Sequence, residues 1–139
     1  MESIDAILST HPQRPPDLSR IEACATACYR CGGLCVTCSD ACLGEPHVAD
    51  LVCCIRTCLD CSDVCLTTAR IISRLTEPSP MLVEAQLMAC AEACRICGAE
   101  CENHAAMRTM PPCMSTVVSA PRPAAVVSRR VVPCSMVRP

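Results

Sequence analysis

The sequence predicts an all-α protein: an antiparallel helical bundle of three long, cysteine-lined helices followed by a disordered C-terminal tail. Three observations predict it. Cysteines recur in a 4-3-4 rhythm in three blocks: Cys24, Cys28, Cys31, Cys35, Cys38 and Cys42; then Cys54, Cys58, Cys61 and Cys65; then Cys90, Cys94, Cys97 and Cys101. Alternating steps of three and four are heptad a/d spacing, so each block places its thiols on one narrow helix face. The links between blocks, at 44–46 and 76–79, are short enough to make successive helices antiparallel neighbours. Beyond His104 the composition changes, with five Arg, no acid and six of the twelve prolines.

Residues 1–16 form an N-terminal arm, in which 3–9 reads as a short amphipathic helix before the break at Pro12, Pro15 and Pro16. Residues 17–104 form the bundle. Asp17 is an N-cap for a first long helix to about Leu43, where Gly44 supplies a C′ stop. Gly32 and Gly33 lie inside this helix and cost about 1 kcal/mol each relative to Ala. They either admit a neighbouring backbone or are simply tolerated. The second helix starts near Pro46, which suits a first turn, and runs to about Leu75. Ser79 and Pro80 are an N-cap and N1 pair for a third helix reaching His104. Residues 105–139 are the tail: Pro111 and Pro112 forbid a regular helix there.

Each seam extends past its cysteines. Ile21 precedes the first block; His47 and Leu51 precede the second, and Thr68, Ile72 and Leu75 follow it. Val83 and Leu87 precede the third, and His104 follows it. Run up-down-up, the helices gather Ile21, Ile72, Leu75, Val83 and Leu87 into an apolar plug at one end. His47 and His104 fall at the other, open end, as candidate residues for metal admission.

Composition excludes several functions. The chain has 139 residues, enough for one small domain, with a net charge of −2, one Tyr, and no Phe or Trp. No basic patch comes with aromatics, so nucleic acid is not expected. No apolar run approaches membrane length. Seventeen cysteines would suit a secreted disulfide scaffold. The count is odd, however, and the first residues carry Glu2 and Asp5 with no basic or apolar export region. Helical neighbours four apart also hold their Cβ atoms about 5–6 Å apart, whereas a disulfide wants about 3.8 Å. A reduced, cytoplasmic protein is expected.

Thiols in this number point to a soft metal: Cu(I), zinc or an iron–sulfur cluster. Ferredoxin spacing, C-x2-C-x2-C-x3-C-P, does not occur. Cys24, Cys28 and Cys31 do spell C-x3-C-x2-C, a cluster spacing, but it recurs in three helices rather than once in a loop. Two facing C-x3-C pairs could bind zinc, yet each Zn(Cys)4 site keeps two negative charges, which are costly to stack in a dry core. Monovalent copper with bridging thiolates can approach one ion per sulfur and leave the core neutral. The expected function is therefore Cu(I) storage and buffering rather than catalysis. The alternatives are an iron–sulfur electron carrier and a zinc-stabilised bundle.

Repeated C-x3-C-x2-C-x3-C on successive helices, with a His ending the third, resembles the four-helix-bundle bacterial copper storage proteins of the cytosolic type. The resemblance covers about residues 17–104. It implies ligand roles toward multiple Cu(I) ions for the fourteen seam cysteines, loading through a His/Met-bearing open end, and a homo-oligomer. The departure is the fourth helix, which the family builds with further cysteines and which is not written here. Met107, Met110 and Met114 stand at steps of three and four in its place. Methionine is always ATG, so reading one base later turns Met110–Pro111 into TGC, a cysteine codon. Met107 does the same if Arg108 is CGN, and Met114 becomes TGT if Ser115 is TCN. The shifted frame then reads C-x2-C-x3-C, so a frameshift near Ala106 is expected. The rival readings are a Met-rich copper arm, whose thioethers suit Cu(I), and an ordinary disordered tail. Cys53, Cys113 and Cys134 receive no role.

Overall fold

A computed structural model describes residues 3–105. The expectations about residues 106–139, including disorder, the methionine arm, the frameshift, Cys113 and Cys134, lie outside the described residues. Within them the chain is helical: α1 Ile4–Ser9, α2 Leu18–Leu43, a 3-10 turn Val48–Leu51, α3 Val52–Ile72 and α4 Pro80–Ala105.

The short α1 packs on α2. Leu8 is buried, Ile4 packs against the core, and the Thr26 hydroxyl donates to Asp5 Oδ1 at 2.9 Å. The arm thus belongs to the folded body and lies beside the first turns of α2.

Several helix ends differ from expectation in their local chemistry. Asp17 precedes α2, but at φ −102°, ψ 20° it is not extended, and its carboxylate makes no capping bond. Its carbonyl instead accepts from the Arg20 and Ile21 N–H groups, at 2.9 and 3.2 Å. Gly44 ends α2 with φ −81°, a conformation open to any residue, so the left-handed glycine stop is not used. The end is made by a tight turn in which the Gly44 and Glu45 N–H groups donate to Ala41 and Cys42, at 3.1 and 3.2 Å. That turn leads into the 3-10 segment, and regular helix resumes only at Val52 rather than near Pro46. At its far end α3 stops at Ile72, three residues before the expected Leu75. The Ser73 hydroxyl donates to the Ala69 carbonyl at 2.6 Å in that last turn.

α3 lies between α2 and α4 and packs along both. The residues flanking the α2 seam on the α3 side are small: Ala25, Gly32 and Ser39 are buried. A Cβ on Gly32 would stand 2.7 Å from Leu66 Cγ, whereas one on Gly33 would meet nothing within 4 Å. Gly32 is therefore the point of close approach, and Gly33 is merely tolerated. Hydroxyls tie the two helices there: Ser62 Oγ donates to the Gly32 carbonyl at 2.9 Å, and Ser39 Oγ lies 3.4 Å from the Ile55 carbonyl. Across the other interface Gln86 Nε2 donates to Thr68 Oγ1 at 2.9 Å. The residues expected to form the apolar plug are all buried or partly buried. Ile72 and Leu87 are buried in the core with Ile21 and Val83 packed partly buried against it, and Leu75 is buried too, although it lies beyond the end of α3.

Candidate metal centre

The seam positions that would hold Leu or Ile in an ordinary bundle hold sulfur. Thirteen of the fourteen seam cysteines are buried, and Cys31 is half-buried. Cys53, one step off the seam, is exposed. All fifteen described cysteines are thiols. The closest Sγ–Sγ approaches, such as 3.5 Å for Cys65–Cys94 and 4.0 Å for Cys28–Cys90, are far beyond the ~2.05 Å of a disulfide.

Antiparallel packing turns three linear rows into shared groups. Cys31, Cys61, Cys65 and Cys94 bring four sulfurs within 4.8 Å of one another; so do the trios Cys35, Cys58, Cys97 and Cys54, Cys58, Cys101. Cys58 belongs to both trios, at 3.7 Å from Cys97 and 3.9 Å from Cys101. Toward the plug, Cys90 lies 3.8 Å from Cys65 and 4.0 Å from Cys28. Cys24, Cys38 and Cys42 are buried on the seam outside these groups. Every group draws on more than one helix, so no helix alone could assemble one. A metal–thiolate bond is about 2.3 Å long, and two such bonds through one ion span sulfurs at the separations seen here. Shared members such as Cys58 can bridge neighbouring ions.

Without metal the thiols share protons. Cys31, Cys90 and Cys97 are pushed well below the ordinary thiol range, chiefly because Cys35, Cys28 and Cys101 respectively hydrogen-bond to their sulfurs. The opposite shift appears on Cys35, chiefly from its bond with Cys31, on Cys28 from Cys24, and on Cys101 from Cys54. Burial leads the upward push on Cys42. The sulfurs pushed down lean toward the thiolate, the form that ligates metal, and those pushed up favour the proton that a metal must displace.

The two histidines part company. His104 occupies the next seam step after Cys101 and is 8% exposed. Its Nε2–H donates to Glu100 Oε1 at 2.9 Å, and its Nδ1 is buried with no hydrogen-bond partner among the described residues. His47 lies at the same end but is exposed, in the turn just before the 3-10 segment. The heptad does not reach back to it, because regular helix begins at Val52; Leu51 is buried instead. Sequence reasoning missed Glu100, although its i, i+4 spacing to His104 was a usable signal.

Residues 17–118 match the copper storage protein family. A comparison with curated sequences finds no match. Among solved structures, the chain is similar to the Streptomyces lividans copper storage protein Ccsp loaded with 10 copper equivalents. The two are 38% identical over 91% of this chain and 96% of that one, with a TM-score of 0.83. A structure of a cytosolic copper storage protein from Streptomyces lividans with five coppers matches at 40% identity, covering 80% of this chain and 91% of that one, with a TM-score of 0.74. A seam of buried thiols in the same helical frame at this identity leaves one assignment, and the chain belongs to the copper storage protein family.

Proposed function

We propose that the chain stores and buffers Cu(I) in the cytoplasm, without catalysis, using the fourteen seam cysteines as ligands. The observation that carries this reading is the sharing of sulfurs between neighbouring groups, with Cys58 common to two trios. A shared thiolate suits a monovalent ion, because one ion per sulfur leaves the buried core neutral. Zn(Cys)4 sites would leave charge in it. Reduced thiols in this number also need a reducing compartment, and the similar Streptomyces lividans protein is described as cytosolic. None of the described helices is long and apolar enough to cross a membrane.

Anaerobic titration of the reduced protein with Cu(I) tests the proposal. Two thiolates per ion give about seven ions, and bridging raises the count toward about fourteen. Saturation at one or two ions overturns storage; brown chromophores indicate an iron–sulfur protein, and one metal per four thiols indicates zinc. His104 and, at the same end, His47 serve copper admission rather than the final store.

The chain also acts as a homo-oligomer. Tyr29, Val36 and Leu43 recur every seven residues on the outside of α2, and Val52 and Leu59 do so on α3, all of them exposed. Exposed apolar rows on two antiparallel neighbours suit an isologous interface with a second copy of the chain. Val36→Glu with Leu59→Glu should lower the mass measured by light scattering; an unchanged mass refutes this interface.

A further inference from the structure

The Glu100–His104 pair extends the storage reading, on which this inference rests. A neutral imidazole has one N–H and one bare nitrogen, and whichever nitrogen donates determines which one can ligate. Glu100 Oε1 can only accept when ionised, so the 2.9 Å contact places the proton on Nε2 and leaves the lone pair on Nδ1. That Nδ1 is the one buried side-chain nitrogen or oxygen without a hydrogen-bond partner among the described residues. A buried imidazole nitrogen normally finds a partner, since leaving it bare costs free energy. The side chains of His104 and Glu100 are only 11% and 20% exposed, so neither is a loosely held surface group. His104 also lies three residues beyond Cys101, in seam register with the trio Cys54, Cys58 and Cys101.

We propose that Glu100 is a positioning residue for copper admission. It holds the His104 ring by Nε2–H and so keeps Nδ1 presented as a bare donor that passes Cu(I) to the outermost thiolates. Carboxylates that orient metal-binding imidazoles in this way commonly change metal handling by about 10–100-fold when removed. No bond to carbon and no electron moves: one copper–ligand bond is exchanged for another. Each thiol that becomes a ligand releases its proton to solvent.

The test measures stopped-flow loading of the reduced full chain from a Cu(I)–bicinchoninate complex, alongside 15N NMR of the His104 ring. In the wild type the NMR should report protonated Nε2 and bare Nδ1. Glu100→Ala should slow loading by about tenfold or more and scramble that tautomer signature, while final copper capacity stays the same. Glu100→Gln keeps an oxygen that accepts from Nε2–H and should restore both the signature and most of the rate. Glu100→Ala loading at the wild-type rate overturns the proposal. So does Glu100→Gln loading as slowly as Glu100→Ala, because charge rather than ring position would then be at work. A wild-type capacity of one or two ions would instead overturn the storage reading, whatever the rates.

Discussion

Gly32 and Gly33 are adjacent in one helix, and the same substitution should have opposite consequences at the two positions. On propensity alone, Gly→Ala in a helix interior gains about 1 kcal/mol. At Gly33 nothing lies within 4 Å of the new methyl, so Gly33→Ala should deliver that gain. At Gly32 the methyl would stand 2.7 Å from Leu66 Cγ and 2.8 Å from Leu66 Cδ2. Ordinary carbon contacts are about 3.5–4.0 Å, so α2 and Leu66 must part by roughly 1 Å. Overpacking of this kind costs about 1–3 kcal/mol, which cancels the propensity gain or exceeds it by up to about 2 kcal/mol. The displacement also reaches the metal centre, because Cys31 precedes Gly32 and its sulfur lies 3.9 Å from that of Cys61. Anaerobic denaturation of the reduced apo-protein measures the stabilities, and Leu66→Ala supplies the control, in which Gly32→Ala should become stabilising. Equal stabilisation by Gly32→Ala and Gly33→Ala in the wild-type background would refute the close approach of α2 and α3.

Ile72→Asp places a charge in the buried core that Ile72 shares with Leu87; it should destabilise the apo-protein by at least the roughly 2–5 kcal/mol of a lost buried Ile. A folded variant should keep its copper capacity, and a selective fall in capacity would show that copper occupies the plug end. Cys31→Ser removes one sulfur from the four-thiol group and should lower Cu(I) capacity by about one ion on titration; an unchanged end point would remove Cys31 from the store. Apo stability should fall as pH rises above about 8.5, where unfolded thiols ionise. Eight described thiols are pushed upward in the fold, namely Cys28, Cys35, Cys42, Cys54, Cys58, Cys65, Cys94 and Cys101. Only Cys31, Cys90 and Cys97 are pushed down. A raised group stabilises the fold below its unfolded value and loses that contribution as pH climbs through the folded one, so the majority sets the sign. Urea midpoints at pH 7 and pH 10 measure it, and a higher midpoint at pH 10 would contradict the shared-proton picture.

The cysteine rhythm by itself determined that fourteen sulfurs line one seam, and the short links determined that the helices alternate in direction. The seam follows from the 3.6-residue turn, which decides what shares a face wherever a regular helix persists. The rhythm could not reach past a helix end. His47 leaves the seam because the chain passes through a tight turn and a 3-10 segment before Val52, and Leu75 keeps its burial although α3 has already stopped. Nor could periodicity say which thiols meet. The grouping of Cys31 with Cys61, Cys65 and Cys94, and the choice of Gly32 over Gly33 for the close approach, depend on the rotation and axial offset of one helix against another. Those are set by small residues, hydroxyl bonds such as Ser62 to Gly32, and the fit of Leu66, all of them contacts between residues distant in the chain. The bare Nδ1 of His104 is likewise a property of packing: only burial of the ring beside Glu100 distinguishes its two nitrogens.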